Sequence, residues 1–213
     1  MMLHNKMLSI AAKEVGVKEP TGEDKYIKWY NSVYKTGFNM STPWCCIFVS
    51  WVAAQAGVPT TIIKHFASCT QMTNWFSGQG LFKKYPAYTP KPGDLIMYDW
   101  DKSGDSDHVG FVESVNGKNV TTIEGNYSDS VKRRTVNLST TTIRGFCLPD
   151  FPIGDINNDG KVTADDAMTV LNASVGKINL SAAQKKEADV NNDGKINASD
   201  ALDILHKATG KVK

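Results

Sequence analysis

The chain has 213 residues, of which 41% are hydrophobic and 22% charged, a composition typical of globular domains and not of fibrous or disordered proteins. Its 24 basic and 22 acidic residues leave a formal charge of only +2, which gives no reason to expect a nucleic acid partner. No segment approaches the roughly 18 apolar residues that a membrane-spanning helix requires. The composition therefore predicts a soluble protein of one or two domains.

The first half of the chain shows helical patterns. Residues 7–17 predict a helix, and the preceding residues lack the long apolar region and cleavage site of a signal peptide. If the protein is secreted, its signal is therefore absent from this chain. A second helix is predicted over 43–57, with Ser41 or Thr42 as its N-terminal cap and Gly57 at its end.

Strand patterns follow these helices. Pro92-Gly93-Asp94 leads into an apolar strand over 95–98, and two further strands, 109–115 and 120–123, flank Asn116-Gly117, a strong hairpin signal. Helices followed by antiparallel strands predict an α+β domain. The loop 99–107 holds four aspartates, which we interpret as a solvated turn in preference to a metal site.

Four cysteines, two of them adjacent, do not form a disulfide framework in a chain of this length, so we expect free thiols and a reducing or anaerobic setting. Cys45 lies at the predicted start of the second helix, where backbone N–H groups and the helix dipole stabilise a thiolate. On this motif alone, a buried cysteine that only packs the helix is an equal alternative. Cys69, Cys147, His4 and His65 have no matched partner in the sequence, and we interpret them as structural.

A candidate base for Cys45 lies at the start of a predicted strand. His108 stands in Asp-His-Val-Gly, and the neighbouring strand ends in Ile-Glu-Gly-Asn, which offers Glu124 and Asn126 to orient the imidazole. A two-residue loop at Asn116-Gly117 would point Glu124 away from His108, whereas a loop over 116–118 would put both on one face. The catalytic hypothesis therefore predicts a three-residue loop or a bulge.

The motifs Pro-Trp-Cys, Pro-Gly-Asp, Asp-His-Val-Gly and Ile-Glu-Gly-Asn, in this order, make residues 5–147 resemble the CHAP family of cysteine- and histidine-dependent amidohydrolases and peptidases. The resemblance implies an NlpC/P60-like, papain-like helix-plus-antiparallel-sheet domain, here assigned to residues 1–149. It implies Cys45 as nucleophile, His108 as base, Glu124 as the orienting carboxylate and Asn126 as a further polar member, with no cofactor for catalysis. Cys46 replaces the alanine that is more usual in the family. Side chains at adjacent helical positions point about 100° apart, so Cys45 and Cys46 cannot both face one histidine, and we expect Cys46 to pack or to be a bystander.

The C-terminal part contains an internal repeat. Residues 155–177 align with 189–211 at an offset of 34 residues, with 12 of 23 positions identical. Each copy consists of a polar loop and a short apolar helix, and a further helix capped by Ser181 is predicted between them. The module has about 60 residues, near the lower limit for an independent core, so a stabilising ligand is expected.

Each loop has the spacing of a calcium loop of the EF-hand type, with side-chain oxygens at positions 1, 3, 5, 9 and 12, a glycine at position 6 and a backbone carbonyl at position 7. Position 12 is Asp where Glu is more usual. Two copies in register argue against a pair of simple surface turns. The predicted ligands are Asp155, Asn157, Asp159, Lys161, Thr163 and Asp166 in the first loop and Asp189, Asn191, Asp193, Lys195, Asn197 and Asp200 in the second.

The two loops, each followed by one helix and by Gly-Lys, make residues 151–213 resemble a type I dockerin, and we assign residues 150–213 to this small all-α domain. The resemblance implies two structural Ca²⁺ ions and docking to a cohesin module of a scaffolding protein in a cellulosome-like assembly. It implies partner contacts at loop positions 10 and 11 and on the following helices, which are Ala164, Asp165, Leu171, Asn172, Ala198, Ser199, Leu205 and His206. The copies differ at position 11, which leaves a dual binding mode open.

Together the two resemblances imply a secreted peptidoglycan hydrolase, extracellular or bound to a cell-surface scaffold, that cleaves an amide bond and is monomeric apart from cohesin. The bond is either the one between muramic acid and the stem peptide or one within the peptides. Two alternatives remain: a cysteine protease for protein substrates, and a catalytically idle wall-binding module.

Overall fold

A computed structural model describes residues 3–18, 25–39 and 41–211. The chain divides into two compact units, Lys6–Asp150 and Phe151–Lys213, and the residues up to Asn5 group with the second. No helix in these described ranges is long and apolar enough to cross a membrane.

The larger unit combines helices with one antiparallel sheet. The helices are α1 (Leu3–Lys13), α2 (Lys25–Tyr34), α3 (Cys45–Ala56) and α4 (Cys69–Gly78). The strands are β1 (Phe82–Lys84), β2 (Leu95–Tyr98), β3 (His108–Asn116), β4 (Asn119–Glu124), β5 (Lys132–Asn137) and β6 (Ile143–Cys147). The sheet order is β1-β6-β2-β3-β4-β5, so the predicted α+β class is confirmed.

Helix α3 is the central helix of this unit. Nine of its twelve residues are buried, and an apolar surface on all sides is what a helix surrounded by protein requires. It packs against β3, with the rings of Phe48 and Phe111 6.0 Å apart. It ends at Gly57, whose φ of 76° lies in the left-handed region that favours glycine at this position.

The predicted cap of α3 is wrong. The N-cap residue is Trp44, and no side chain caps the helix. The Thr42 hydroxyl instead accepts a hydrogen bond from the Asn39 N–H, and Ser41 donates its own N–H to the Asn39 side chain. The first N–H groups of α3 are consequently left without a side-chain acceptor.

The smaller unit contains α5 (Ala164–Ser174), α6 (Ala182–Ala188) and α7 (Ala198–Ala208). Helices α5 and α7, one from each repeat, pack against each other. The side chains of the core come from both repeats and the connection, namely Ile156, Ala167, Val170, Leu180, Ala188, Ala201 and Ile204. Ser181 caps α6 by accepting a hydrogen bond from the Gln184 N–H at 3.3 Å, as its sequence predicts.

Candidate active site and calcium loops

Cys45 is the first residue of α3, and its side chain is only 4% exposed. The sulfur therefore lies at the positive end of the helix dipole, beside N–H groups that no side chain caps. His108, the first residue of β3, is the neighbour that lowers the pKa of this thiol. The predicted nucleophile and base are thus adjacent.

The β3–β4 hairpin places Glu124 next to His108. The turn consists of Gly117 and Lys118, one residue later than the Asn116-Gly117 signal suggested, because Asn116 pairs with Asn119. The register shifts between Val112 and Ser114, which is the bulge that the catalytic hypothesis requires. Beyond it, the Nε2 atom of His108 and the Oε2 atom of Glu124 lie 3.1 Å apart.

Glu124 is fully buried, and four side chains surround its carboxylate. Oε2 contacts His108 and accepts from the Arg134 guanidinium at 2.7 Å; Oε1 accepts from the hydroxyls of Tyr98 at 2.7 Å and Thr122 at 2.6 Å. Burial opposes the charge, but the hydrogen bonds and the charge of His108 outweigh it and lower the pKa of Glu124 to about 2. The carboxylate is therefore ionised in the folded protein.

Two glycines of the sequence motifs provide space for this arrangement. A Cβ atom at Gly110 would lie 2.4 Å from Cγ of Glu124, so only glycine leaves room for that side chain on β3. A Cβ atom at Gly125 would lie 2.5 Å from Cβ of Phe48, so glycine there lets α3 approach the sheet. Gly125 therefore sets the distance between the helix that carries Cys45 and the sheet, and Gly110 leaves space for the Glu124 side chain beside β3.

The proton equilibria of the site are coupled. Burial lowers the pKa of His108, but hydrogen bonds with Cys45 and Glu124 outweigh burial and raise it to about 9. A hydrogen bond with Cys69 and burial raise the pKa of the Cys45 thiol, whereas His108 lowers it. Glu124 contacts Nε2 of His108, which leaves Nδ1 as the ring nitrogen available to Cys45.

Aromatic rings enclose the imidazole. Trp100 stacks on His108 with centroids 4.9 Å apart and an interplanar angle of 22°, and it is itself 46% exposed. Tyr127 meets His108 edge-on at 6.1 Å and carries the Arg134 guanidinium 3.7 Å above its ring. The base is therefore 3% exposed and held in one orientation.

Asn126 lies just after β4 in a left-handed backbone conformation, with φ of 57°. Within the described ranges, its side chain makes no hydrogen bond to Cys45, His108 or Glu124. Its role as a further polar member of the site stays a prediction.

Sequence reasoning missed three members of the site. Thr122 on β4 pairs with Arg134 on β5, and both lie on the face of the sheet that carries Glu124. No pattern in the sequence identified β5 as a strand. Cys69, interpreted as structural, instead has its sulfur 3.5 Å from that of Cys45. Cys46 is fully buried with its sulfur 4.0 Å from that of Met72, a packing role.

The aspartate-rich loop brings Asp99, Asp101 and Asp107 together, with oxygens within 4.8 Å of one another. These carboxylates accept backbone N–H groups of their own loop, from Gly104, Ser103 and Trp100 respectively. The hydrogen bonds agree with the interpretation of this segment as a turn.

The two C-terminal loops have the same internal hydrogen bonds. Asp155 accepts the N–H groups of Asp159 and Gly160 at 3.1 and 2.8 Å. Asp189 accepts the equivalent groups of Asp193 and Gly194, both at 3.0 Å. Gly160 and Gly194 have φ of 85° and 80°, which explains glycine at position 6.

The loops fit a hard cation. Asp166 and Asp200, at position 12, are fully buried, and Oδ1 of Asp200 has no hydrogen-bond partner among the described residues. Burial and the neighbouring carboxylates of Asp166 and Asp159 raise the pKa of Asp155 against the effect of its backbone hydrogen bonds. A buried carboxylate oxygen without a donor, as at Asp200, is what a calcium ligand is before the ion binds.

The residues predicted to contact a partner lie on or beside a groove between α5 and α7. The groove has a volume of about 270 Å³ and contains Ala164, Leu171, Ala198 and Leu205. Asp165 and Ser199 are exposed beside it, whereas Asn172 and His206 are half-buried. The two repeats thus present equivalent apolar positions but differ in charge at position 11.

Comparison with protein families gives two matches. Residues 37–126 match the CHAP domain and residues 153–207 match the dockerin type I domain. No curated protein matches the sequence at a significant level.

Two solved structures are similar to this chain: the crystal structure of Ly7917 with the hydrolyzing product of MDP, and the crystal structure of Ly7917, at 17% and 18% identity. They cover 68% and 70% of this chain with TM-scores of 0.42 and 0.43. This chain spans 62% of the Ly7917 chain.

The ion pair of His108 and Glu124 gives a testable pKa. In Glu124→Gln, burial lowers the pKa of His108 without a carboxylate to oppose it, so we expect a value well below the wild-type value of about 9. NMR titration of the histidine resonances measures this, with His108→Gln for assignment. Glu113→Gln is the matched control, because Glu113 lies on β3, as His108 does, and pairs with Arg133 of β5 away from the site. If His108 titrates with the same pKa in Glu124→Gln as in wild type, Glu124 is not the carboxylate that raises the pKa of His108.

The same pair predicts how stability depends on pH. The lowered pKa of Glu124 stabilises the fold above its ordinary value of 4.5, and this is lost as pH falls towards 2. The raised pKa of His108 stabilises the fold below its ordinary value of 6.5, and this is lost as pH rises through 9. The difference in unfolding free energy between wild type and Glu124→Gln should therefore be largest between pH 4.5 and 6.5.

Proposed function

Because this chain carries a CHAP domain followed by a type I dockerin domain, we propose that it is a cysteine-dependent peptidoglycan hydrolase attached to a scaffold. We assign residues 1–149 to the hydrolase domain and residues 150–213 to the dockerin domain. The observation that carries the proposal is the buried chain of contacts from the Cys45 thiol to His108 and from His108 to Glu124. This is the arrangement of nucleophile, base and orienting acid that acyl transfer requires.

The first half of the reaction forms a thioester. His108 accepts the proton of Cys45 at Nδ1, and the thiolate attacks the carbonyl carbon of an amide. The oxyanion of the tetrahedral intermediate is held by the uncapped backbone N–H groups at the start of α3. His108 then donates its proton to the departing amine, which leaves the acyl group on Cys45.

The second half of the reaction regenerates the thiol. His108 takes a proton from a water molecule, the resulting hydroxide attacks the thioester, and Cys45 leaves with the proton returned by the imidazolium. Glu124 remains ionised throughout, because Tyr98, Thr122 and Arg134 donate to it as well. Its fixed charge stabilises the imidazolium that both halves of the reaction require.

The shape of the site supports a peptide-like substrate. Cys45 lies in a cleft of about 480 Å³ that Tyr30, Phe38, Gln71 and Asp107 also line. Such a cleft combines apolar surface with a few polar groups that fix orientation. We propose that the substrate is peptidoglycan and that the bond cleaved is either the muramoyl–L-alanine amide or an amide within the peptides.

We propose that the second domain binds two structural Ca²⁺ ions and attaches the enzyme to a cohesin module, and that the protein acts outside the cell. The symmetric apolar groove of α5 and α7 is the surface that a cohesin would cover. Catalysis by Cys45, His108 and Glu124 needs no metal of its own. The ions would belong to the two loops, where Asp155 and Asp166 in the first and Asp189 and Asp200 in the second accept hydrogen bonds from backbone N–H groups of their own loop.

The hydrolase is tested by digestion of purified peptidoglycan with wild type and Cys45→Ala, followed by mass analysis of the soluble products. Wild type should release fragments with new amino termini, and Cys45→Ala should lose activity by about 10⁴-fold or more because the nucleophile is gone. The fragment masses identify the bond.

Cys46→Ala is the matched control, because it removes the adjacent thiol, which contacts Met72 and not the base. Casein in place of peptidoglycan tests the protease alternative. Equal activity of wild type and Cys45→Ala would exclude the thiol mechanism, and inactivity on peptidoglycan of several chemotypes would favour protein substrates or an idle binding module.

Calcium binding is tested by titration calorimetry and thermal unfolding of the full chain. Wild type should bind two ions, and Asp155→Ala and Asp189→Ala should each bind one. At a calcium concentration of 100 times Kd, each site should stabilise its domain by about 2.7 kcal/mol.

Asp165→Ala, at an exposed position outside the ligand set, is the matched control and should still bind two ions. A chain whose unfolding is the same in calcium and in chelator would contradict the calcium assignment and leave the hydrolase proposal untouched.

A further inference from the structure

Two cysteines lie next to each other in the lining of the active-site cleft. Cys45 is the first residue of α3 and Cys69 the first residue of α4, and their sulfurs are 3.5 Å apart. Both residues line the same cleft, so a small molecule that reaches Cys45 also reaches Cys69. They are 4% and 6% exposed, whereas Cys46 and Cys147 are fully buried.

The two sulfurs are positioned for covalent bonding. A disulfide requires a sulfur–sulfur distance of about 2.05 Å, so the side chains must close by roughly 1.5 Å. They belong to two different helix starts, and Ser68 caps α4 by accepting the Gln71 N–H, which leaves the Cys69 thiol outside the cap. Cys69 has a second thiol neighbour in Cys46, but the sulfur of Cys46 also contacts Met72 in the core.

We propose that Cys69 is the resolving thiol of a redox switch, in which oxidation joins Cys45 and Cys69 in a reversible disulfide and turns the hydrolase off. This inference rests on the proposed function in one respect, that Cys45 is the nucleophile. The disulfide itself depends only on the two sulfurs.

The oxidant class is a peroxide. His108 takes the proton of Cys45, the thiolate attacks one peroxide oxygen, and the O–O bond breaks to give a sulfenic acid and hydroxide, which takes the proton back from His108 and becomes water. The Cys69 sulfur then attacks the Cys45 sulfur, the S–O bond breaks, and water leaves. In sum two thiols lose two electrons and two protons, and hydrogen peroxide becomes two molecules of water. A dithiol reverses the step by exchange and is itself oxidised to a cyclic disulfide.

The switch also protects the nucleophile. A sulfenic acid without a neighbouring thiol is oxidised further to a sulfinic acid, which a dithiol does not reduce. With Cys69 present, the sulfenic acid is converted to a disulfide before a second peroxide reacts. Removal of Cys69 should therefore change peroxide inactivation from reversible to irreversible.

The test treats the full calcium-loaded chain, purified without oxygen, with hydrogen peroxide and then with iodoacetamide. Peptide mass mapping locates the crosslink, and activity is measured before oxidation, after it and after dithiothreitol, each variant relative to its own starting activity. Wild type and Cys46→Ala should form the Cys45–Cys69 crosslink, lose activity and regain it. Cys69→Ala and Cys69→Ser should form no crosslink, should carry sulfinic acid on Cys45 and should not regain activity.

Other outcomes would overturn the proposal. These are inactivated wild type without the Cys45–Cys69 crosslink, a crosslink between Cys46 and Cys69 in its place, or recovery of both Cys69 variants by dithiothreitol. Two substitutions at Cys69 guard against misfolding of one of them. Crosslink formation is scored by mass, so a wild type that is inactive before oxidation but forms the crosslink on oxidation would count against the hydrolase and not against the disulfide.

Discussion

The site depends on one buried charge, the carboxylate of Glu124. It is 0% exposed, and such burial is costly unless every oxygen is paired. The protein meets that requirement with four donors from four strands: Tyr98 on β2, His108 on β3, Thr122 on β4 and Arg134 on β5. The sheet is therefore organised around this carboxylate, whose charge orients the imidazole and stabilises its protonated form.

Helix α3 supplies the other half of the site. The close approach of Phe48 to Gly125 sets the position of this helix. The start of the helix has no side-chain cap, and the Thr42 hydroxyl accepts a hydrogen bond from the Asn39 N–H instead. The same helix start thus holds Cys45 beside His108 and leaves the first N–H groups of α3 without a side-chain cap. The second helix start, that of α4, brings Cys69 to the same place, so the thiol that reacts and the thiol that can resolve it occupy one cleft.

The sequence predicted those parts of the structure that depend on local patterns. Strand 95–98, the two hairpin strands and the end of α3 at Gly57 agree with the predictions to within a few residues, as does the pair of repeated loops. It did not predict β5, whose Lys-Arg-Arg run is half exposed, and so it missed Arg134. It also missed Cys69, because the distance between two sulfurs on separate helices depends on tertiary packing and leaves no local signal. The turn was displaced by one residue, and only the bulge restored the register that brings Glu124 to His108.

The central claim is that Cys45 forms a covalent acyl intermediate with His108 as its base. The most direct measurement is acid quenching of the enzyme during turnover of peptidoglycan fragments, followed by peptide mass mapping of the denatured protein. The account predicts a substrate-derived mass on the peptide that contains Cys45, removed by hydroxylamine as a thioester is, and longer-lived at low pH. Product formation without any adduct on Cys45, or an adduct on another residue, would contradict it.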